Sequence, residues 1–523
     1  MKFVHQKFGL RRVLLVGTAV CAFAGNSGVA FAQQQPAPAE EPSADPQNGI
    51  QDIVVTARRT EEASQRVPVS LTALSGQDLQ QQVVLSVSDL QTSTPGLVIV
   101  TDTTGGVPTL AIRGAKADTG TSPTVAIYID DVPVITPVSV ANMVYDMQSI
   151  TTLKGPQGTL FGANSTGGAV IFRPNKPTDV FEGYLSAGYG NYDRREIQGM
   201  INVPVSEMLQ FRVAGELVRR DGFFKNVSPF ARPESKRMND DRHESLRGSM
   251  RLQLSDTLTN DTVIDWYHYD QQPGTQWTSL LRSPYSNTGV PVDYAGAGIQ
   301  ILPYFQTATS GNPFYFKGTS WGAANTTDWE ISPNWSAKLV VGYRNDKLDS
   351  SQSQFATYDF PVSDGLTRLR YNQWTVEPTT TFSWGDGRWS NKIGLFFSRK
   401  ETFSDNSYRV LDFPFDFTNV DQGTQDLIRF LYPLQSNVSQ RPTFKSAAIY
   451  NQLSVELSDE TTLKAGVRHT RDRASVEVSN HTAFSGSPGG LGPYGDYTFG
   501  PCDASTAAYE NFDPVACTGT RSL

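Results

Sequence analysis

From residue 179 onward, apolar residues recur at every second position. In SLRGSMRLQL, Leu246, Gly248, Met250, Leu252 and Leu254 fall on one face, and Arg247, Ser249, Arg251 and Gln253 on the other. WSAKLVVGYR sets Trp335, Ala337, Leu339, Val341 and Tyr343 against Ser336, Lys338, Gly342 and Arg344, with Val340 as the exception. Ile449, Leu453, Val455 and Leu457 alternate in the same way with Tyr450, Gln452, Ser454 and Glu456, and TLKAGVRHT repeats the pattern. A period of two specifies strands rather than helices.

The connections narrow the choice further. Short turns near 207, after 254, at 332–334, at 385–388 and at 458–461 alternate with long polar stretches at about 221–243, 270–325, 345–370, 400–444 and from 471. A soluble sandwich supplies no reason for every second connection to be long. A membrane barrel does, because its turns lie on one side and its loops on the other. The apolar faces then meet lipid and the polar faces line a lumen. Trp335, Tyr343, Trp384 and Trp389 are expected in interfacial aromatic girdles, with core aromatics of a soluble β-domain as the alternative for any one of them.

The N-terminus predicts export. Lys2, Lys7, Arg11 and Arg12 precede an apolar run too short to span a bilayer, and Ala30-Phe31-Ala32 fits a cleavage site, which makes 1–32 a signal peptide. A lipoprotein signal at Cys21 is the lesser reading, because Val20 is bulkier than that processing accepts. Cys502 and Cys517 remain in the mature chain, and an oxidising compartment predicts a loop disulfide worth about 3 kcal/mol. A net charge of −8 argues against nucleic acid as a partner. The five histidines show no metal-ligand spacing, no cofactor motif is present, and no G-x-S-x-G, H-E-x-x-H or comparable catalytic motif occurs. An exported enzyme is therefore the least favoured class.

Residues 33–51 form a Pro/Gln/Ala/acidic linker that cannot bury a core. DIVVTARR, residues 52–59, follows as a β-branched patch. It is either a strand seeking a partner edge or the first strand of the next domain. Residues 60–178 predict a small α+β domain: a strand, a helix capped by Ser75 with Leu79 inside, a second helix from Ser88 stopped by Pro95-Gly96, then strands at LVIV, TLAIRG and TVAIYIDD. Asp130-Asp131 read as turn residues.

GPQGTLFGANSTGG, residues 155–168, holds five glycines yet lacks the lysine of a phosphate loop and the spacing of a dinucleotide loop. The glycines instead predict positive φ and tight packing, with Leu160, Phe161 and Ala169–Phe172 packed around them.

LKGPQGTLFGANSTGGAVIF, TLAIRGAK and AIYIDDVPV, in that order, resemble the plug-domain signature of TonB-dependent outer-membrane receptors, and DIVVTARR resembles their TonB box. The resemblance implies a plug, residues 60–178, inside an antiparallel transmembrane β-barrel, residues 179–523. It also implies active import of a large scarce nutrient: a ferric siderophore, a vitamin, a saccharide or an aromatic compound. Asp52, Ile53, Val54, Val55, Thr56 and Ala57 are the implied contact with the TonB protein, whose pull would displace the plug. Arg113 matches the family's I-R-G arginine, a contact to the barrel wall or plug interior, or simply solvated. Gly155, Gly158, Gly162, Gly167 and Gly168 are implied to shape the plug. Lys154 stands where the family has arginine, and no glutamate precedes it, so a plug–barrel ionic contact is not implied at that point. The alternation yields roughly 11 strands, about half of what the family implies, so the expectation for 179–523 is a partial barrel, incomplete at the C-terminus, with a truncated, non-transporting fragment of such a receptor as the alternative function.

Overall fold

The computed structural model describes residues 69–101, 108–117, 123–134, 144–162, 165–226, 236–272, 315–356, 361–410, 434–458 and 461–484. It also describes short strand pieces at 54–55, 62–63, 279–280, 300–301, 306–307, 497–499 and 519–521. The chain divides into two units, Met1–Gln51 and Asp52–Leu523. The first carries the predicted signal peptide and linker and lies outside the described residues, as do Cys502 and Cys517.

Within the second unit, the plug is a five-stranded mixed sheet. In chain order its strands are β1 (Leu71–Ser75), β4 (Val125–Ile129), β5 (Val132–Val134), β6 (Met147–Lys154) and β7 (Gly168–Pro174), and its spatial order is β1-β6-β7-β4-β5. A separate ribbon pairs β2 (Leu97–Thr101) with β3 (Pro108–Ile112). β4 and β7 are parallel; the other pairs are antiparallel. β4 is buried along its whole length, which explains its unbroken apolar run. Ile127, Ile129, Val170 and Phe172 enter one core cluster, while Ala126, Tyr128, Ala169 and Ile171 enter another.

Helix α1 (Gly76–Gln81) starts at Ser75, whose hydroxyl accepts from the Asp78 N–H while Asp78 returns a bond to the Ser75 N–H; Leu79 is buried beneath it. The second helix begins differently from the expectation at Ser88. Ser86 forms the capping box with Asp89, a 3-10 turn covers Val87–Asp89, and α2 (Leu90–Ser93) follows. Ser86 precedes an apolar residue, Val87, and has an acidic residue, Asp89, three positions on, whereas Ser88 precedes Asp89 itself and has Gln91 at that spacing.

Beyond the plug, long strands pair in succession, each antiparallel to the last. They are β8 (Glu182–Gly190), β9 (Arg194–Ser206), β10 (Leu209–Arg220), β11 (Asp241–Ser255), β12 (Leu258–Gln271), β13 (Tyr315–Ser332), β14 (Trp335–Ala356), β15 (Pro361–Trp384) and β16 (Trp389–Val410). β16 then pairs in turn with β17 (Leu434–Gln440) and β18 (Thr443–Ser458), one ribbon interrupted at Arg441-Pro442, where proline removes a ladder donor. β19 (Thr461–Ser475) and β20 (Val478–Phe484) complete the next ribbon.

Several stretches read from sequence as loops are strand. Much of 345–370 and 400–444 lies in β14, β15, β16, β17 and β18, and the ends of 221–243 and 270–325 lie in β11, β12 and β13. The reason is solvent. A span needs only about 9–11 residues, whereas β14, β15 and β16 have 22, 24 and 22. Where a strand rises past the lipid, both faces meet water and the apolar alternation that marks it disappears.

The wall is inverted relative to a soluble protein. Leu246, Ile264, Val341 and Phe397 are exposed on its outer face, while Arg247, Asp265, Arg344 and Glu377 are buried on its inner face. Arg247 retains only 2% exposure. Burying such groups beside a plug while leaving leucines bare is a loss in water and a gain in lipid. Two aromatic belts bracket the bare band. Near the short turns lie Trp329, Trp335, Trp384 and Trp389, with Trp335 stacked on Phe382 at 5.4 Å and Trp384 on Trp389 at 5.9 Å. Farther up, Trp266, Trp321, Tyr343 and Trp374 form the second belt, Trp266 in register with Trp321 and Tyr343 with Trp374. From Trp335 to Tyr343 is about 27 Å of strand, which at a tilt of 35–45° rises roughly 19–22 Å, most of the roughly 25 Å apolar band of outer-membrane barrels. Tyr343 thus belongs to the far girdle rather than to a strand end.

Candidate functional site

The seam between plug and wall is where the buried charges gather. It begins at the β4–β5 turn. Asp130 and Asp131 both take positive φ, 48° and 67°, the geometry of a two-residue hairpin turn that aspartate tolerates better than most residues. Both are nonetheless buried. Asp131 accepts from Arg173 of β7 at 2.9 Å and from Lys338 of β14 at 2.8 Å, so this turn also ties plug to wall. Burial raises the Asp130 pKa, against the opposing pull of Lys176. Immediately beyond the turn, the Gln373 side chain donates to the Pro133 carbonyl at 2.7 Å. Gly342 faces Val132, and a Cβ there would collide with that side chain, so glycine lets the hairpin lie flat against β14. Val340, the exception in its strand's alternation, is buried on this same inner face.

A second tie lies where the plug leads into the barrel. Arg212 of β10 donates through Nε and Nη2 to Asp146 at 2.9 and 2.6 Å, and through Nη1 to Glu182 at 2.8 Å. Asn175 supplies a further donor to Asp146 at 2.9 Å. The Arg212 and Asp146 side chains are 6% and 2% exposed. Next to them Arg247 of β11 lies over the Tyr145 ring at 4.8 Å and donates to the Tyr145 carbonyl at 3.2 Å. Lys176 pairs with Asp261 of β12 at 2.9 Å, and Arg251 holds the same carboxylate. Plug–wall ionic contacts therefore exist, but they come from Asp131, Asp146 and Lys176. Sequence reading missed them because a strand pattern does not say which lumenal arginine faces which plug turn.

The glycine segment folds as one helical turn, α3 (Gly158–Phe161), closed by Gly162 at φ 69°. Phe161 meets Tyr128 edge-on at 5.1 Å, and the Tyr128 hydroxyl donates to the Phe161 carbonyl at 2.8 Å. Gly168 has φ 145°, and a Cβ there would strike the Leu153 carbonyl oxygen and come within 2.9 Å of Ile112. Gly155 also has positive φ, Gly162 and Gly167 face Arg468 and Ala115, and Gly158 has open space around it. Arg113 sits at φ 52°, its N–H bonded to the Gly96 carbonyl and its Nη2 to the Ser70 hydroxyl at 2.9 Å, both within the plug. The Lys154 N–H donates to the Ser70 carbonyl, and burial together with the neighbouring Arg113 charge lowers the Lys154 pKa. Of residues 52–57 only Val54 and Val55 are described. They pair antiparallel with Glu62–Ala63, Val54 opposite Ala63 and Val55 opposite Glu62; Asp52, Ile53, Thr56 and Ala57 lie outside the described residues.

An α+β stopper fastened by ion pairs to the polar inner face of a lipid-facing β-wall defines a plugged outer-membrane barrel. Residues 63–169 match the TonB-dependent receptor plug domain family, and the chain as a whole is similar to receptors of the outer membrane. It is 28% identical over 442 residues to the pesticin receptor of Yersinia pestis, covering 84% of this chain and 58% of that protein, and 21% identical over 441 residues to the Yersinia enterocolitica pesticin receptor. Among solved structures it resembles the ferric yersiniabactin uptake receptor FyuA of Yersinia pestis (TM-score 0.63, 19% identity, 80% of this chain and 58% of that one). It also resembles the closed form of the ferric-catecholate import receptor Fiu of E. coli K12 (TM-score 0.59, 16% identity, 83% and 61%). The chain thus spans less than two thirds of the length of these relatives.

Proposed function

We propose that the protein imports a chelated nutrient of the ferric-siderophore type across the outer membrane, driven by a TonB partner acting on residues 52–57. The observation that carries this reading is the plug's attachment. Ion pairs from Asp131, Asp146 and Lys176 hold a folded domain against the lumenal wall. In a closed barrel a solute could pass such a domain only if it moved, and movement needs work. Val54 and Val55 already adopt strand geometry opposite Glu62–Ala63, so the same backbone can exchange that partner for an edge of the TonB protein. The names of the solved relatives favour an iron chelate over a saccharide or a vitamin.

The test is Val54→Pro, which removes a strand donor and restricts the backbone. Uptake of an iron-55 chelate by energised, iron-starved cells should be abolished while binding to the cells is kept. Undiminished uptake would refute energy coupling through this segment.

A further inference from the structure

One place on the lipid-facing side of the wall departs from the apolar rule. Asn260 and Thr262 of β12 and Asn325 and Thr327 of β13 share the face that carries Ile264, Trp266, Trp321 and Trp329. They form two adjacent rows, Asn260 opposite Thr327 and Thr262 opposite Asn325. Both rows turn apolar on either side: Leu252 and Leu339 flank the first, Met250 and Val341 the second. On this face Trp329 lies one row below and the Trp266–Trp321 pair two rows above. The four polar side chains therefore sit between the aromatic belts, at the depth of the acyl chains.

These groups satisfy one another almost completely. Asn260 Nδ2 donates to Asn325 Oδ1 at 3.1 Å and to the Thr327 hydroxyl at 2.8 Å. Asn325 Nδ2 donates to Asn260 Oδ1 at 2.9 Å and to the Thr262 hydroxyl at 2.8 Å. The Thr262 hydroxyl donates to Asn260 Oδ1 at 3.3 Å. Two capacities are left over among the described residues. The Thr327 hydroxyl accepts without donating, and Asn325 Oδ1 accepts once although an amide oxygen has two lone pairs. All four side chains are only half-buried, so these spare sites face a solvent that offers no water.

A hydrocarbon tail supplies neither donor nor acceptor. Nor does lipid drive apolar walls together, so packing and hydrogen bonds decide which lipid-facing surfaces associate. The patch carries its spare donor and its spare acceptor one row apart on the same strand. Two copies in one membrane share orientation and depth, and a two-fold axis along the membrane normal sets the patch against itself. Each Thr327 hydroxyl then has an amide oxygen of the other copy as its acceptor. We infer that the β12–β13 patch is a contact between two copies of this chain within the outer membrane. The inference needs only the lipid-facing wall and stands apart from the import reading.

The test is disulfide crosslinking in outer membranes from cells expressing the protein from its own gene, with its three cysteines replaced. Ala323→Cys places a thiol one row above Asn325, and Phe397→Cys places one in the Asn325 row but three strands away. Mild oxidation should give a band of twice the monomer mass, roughly tenfold stronger from Ala323→Cys than from Phe397→Cys. Adding Asn260→Leu with Asn325→Leu removes both amides and makes the face more apolar, which suits lipid; the dimer band should fall roughly tenfold while the folded barrel keeps its heat-dependent gel migration. Thr327→Val keeps the shape, deletes only the spare donor and should lower the band about threefold; it carries the test if the leucine pair misfolds. Monomer alone, a crosslinked product of another mass, equal dimer from the two thiols, or a dimer band untouched by these substitutions would overturn the assignment.

Discussion

Arg212→Met isolates the tie between plug and barrel. In the native seam the Asp146 carboxylate receives two guanidinium hydrogen bonds and one from Asn175, all out of water. Methionine fills similar space but leaves that carboxylate with the amide alone. Removing one partner of a buried pair costs about 3–5 kcal/mol, and the Glu182 contact adds little because that side chain is 46% exposed. Replacing both partners should restore most of the loss, so Asp146→Asn with Arg212→Met is the companion. The reporter is a thiol at Ala169, which is fully buried in the plug core, with Cys502 and Cys517 changed to serine. A maleimide reaches it only when the plug opens. If opening and closing are fast relative to labelling, the rate rises tenfold for each 1.4 kcal/mol, so the single variant should label on the order of a hundred- to a few-thousandfold faster. The double variant should fall back at least tenfold. A single variant within threefold of the parent, or a double variant as fast as the single, would refute the idea that this pair fastens the plug.

Two further outcomes follow from the plug's geometry. Gly168→Ala should cost about 2–4 kcal/mol through disallowed backbone and collision with Leu153 and Ile112, visible as faster labelling of the same buried thiol. Asp130→Asn keeps a residue suited to positive φ and removes a carboxyl whose pKa is raised by burial. A raised pKa means the folded state holds the proton more tightly, so the native carboxyl's cost to stability grows as pH rises from the ordinary carboxylate range and is complete above its folded pKa. The variant should therefore melt higher than the parent at neutral pH, with the gain shrinking as pH falls into the ordinary carboxylate range; a gain independent of pH would contradict the burial argument.

The plug was legible wherever a local rule acts alone. Ser75 and Asp78 announce a capped helix, Gly155, Gly162 and Gly168 announce positive φ where Gly158 and Gly167 do not adopt it, and the apolar run of β4 announces a strand buried on both sides. The wall was legible only at lipid depth, where Leu246 or Val341 must alternate with a polar neighbour. Above that depth nothing constrains the outward residues, and β14, β15 and β16 read as loop. The seam was the least visible part. Asp131 and Asp146 look like ordinary turn aspartates, because their partners Lys338 and Arg212 are brought to them only by register across strands far apart in the chain.

The overlong strands have a consequence for capture. At about 3.3 Å per residue, the 24 residues of β15 measure roughly 80 Å, and even leaning at 45° they climb about twice the height of the hydrocarbon. The mouth of the channel is thus carried up on a stiff collar. Under the proposed import role, a cargo entering it would meet walls already ordered when the protein folded, so less disorder would have to be frozen out at the moment of docking.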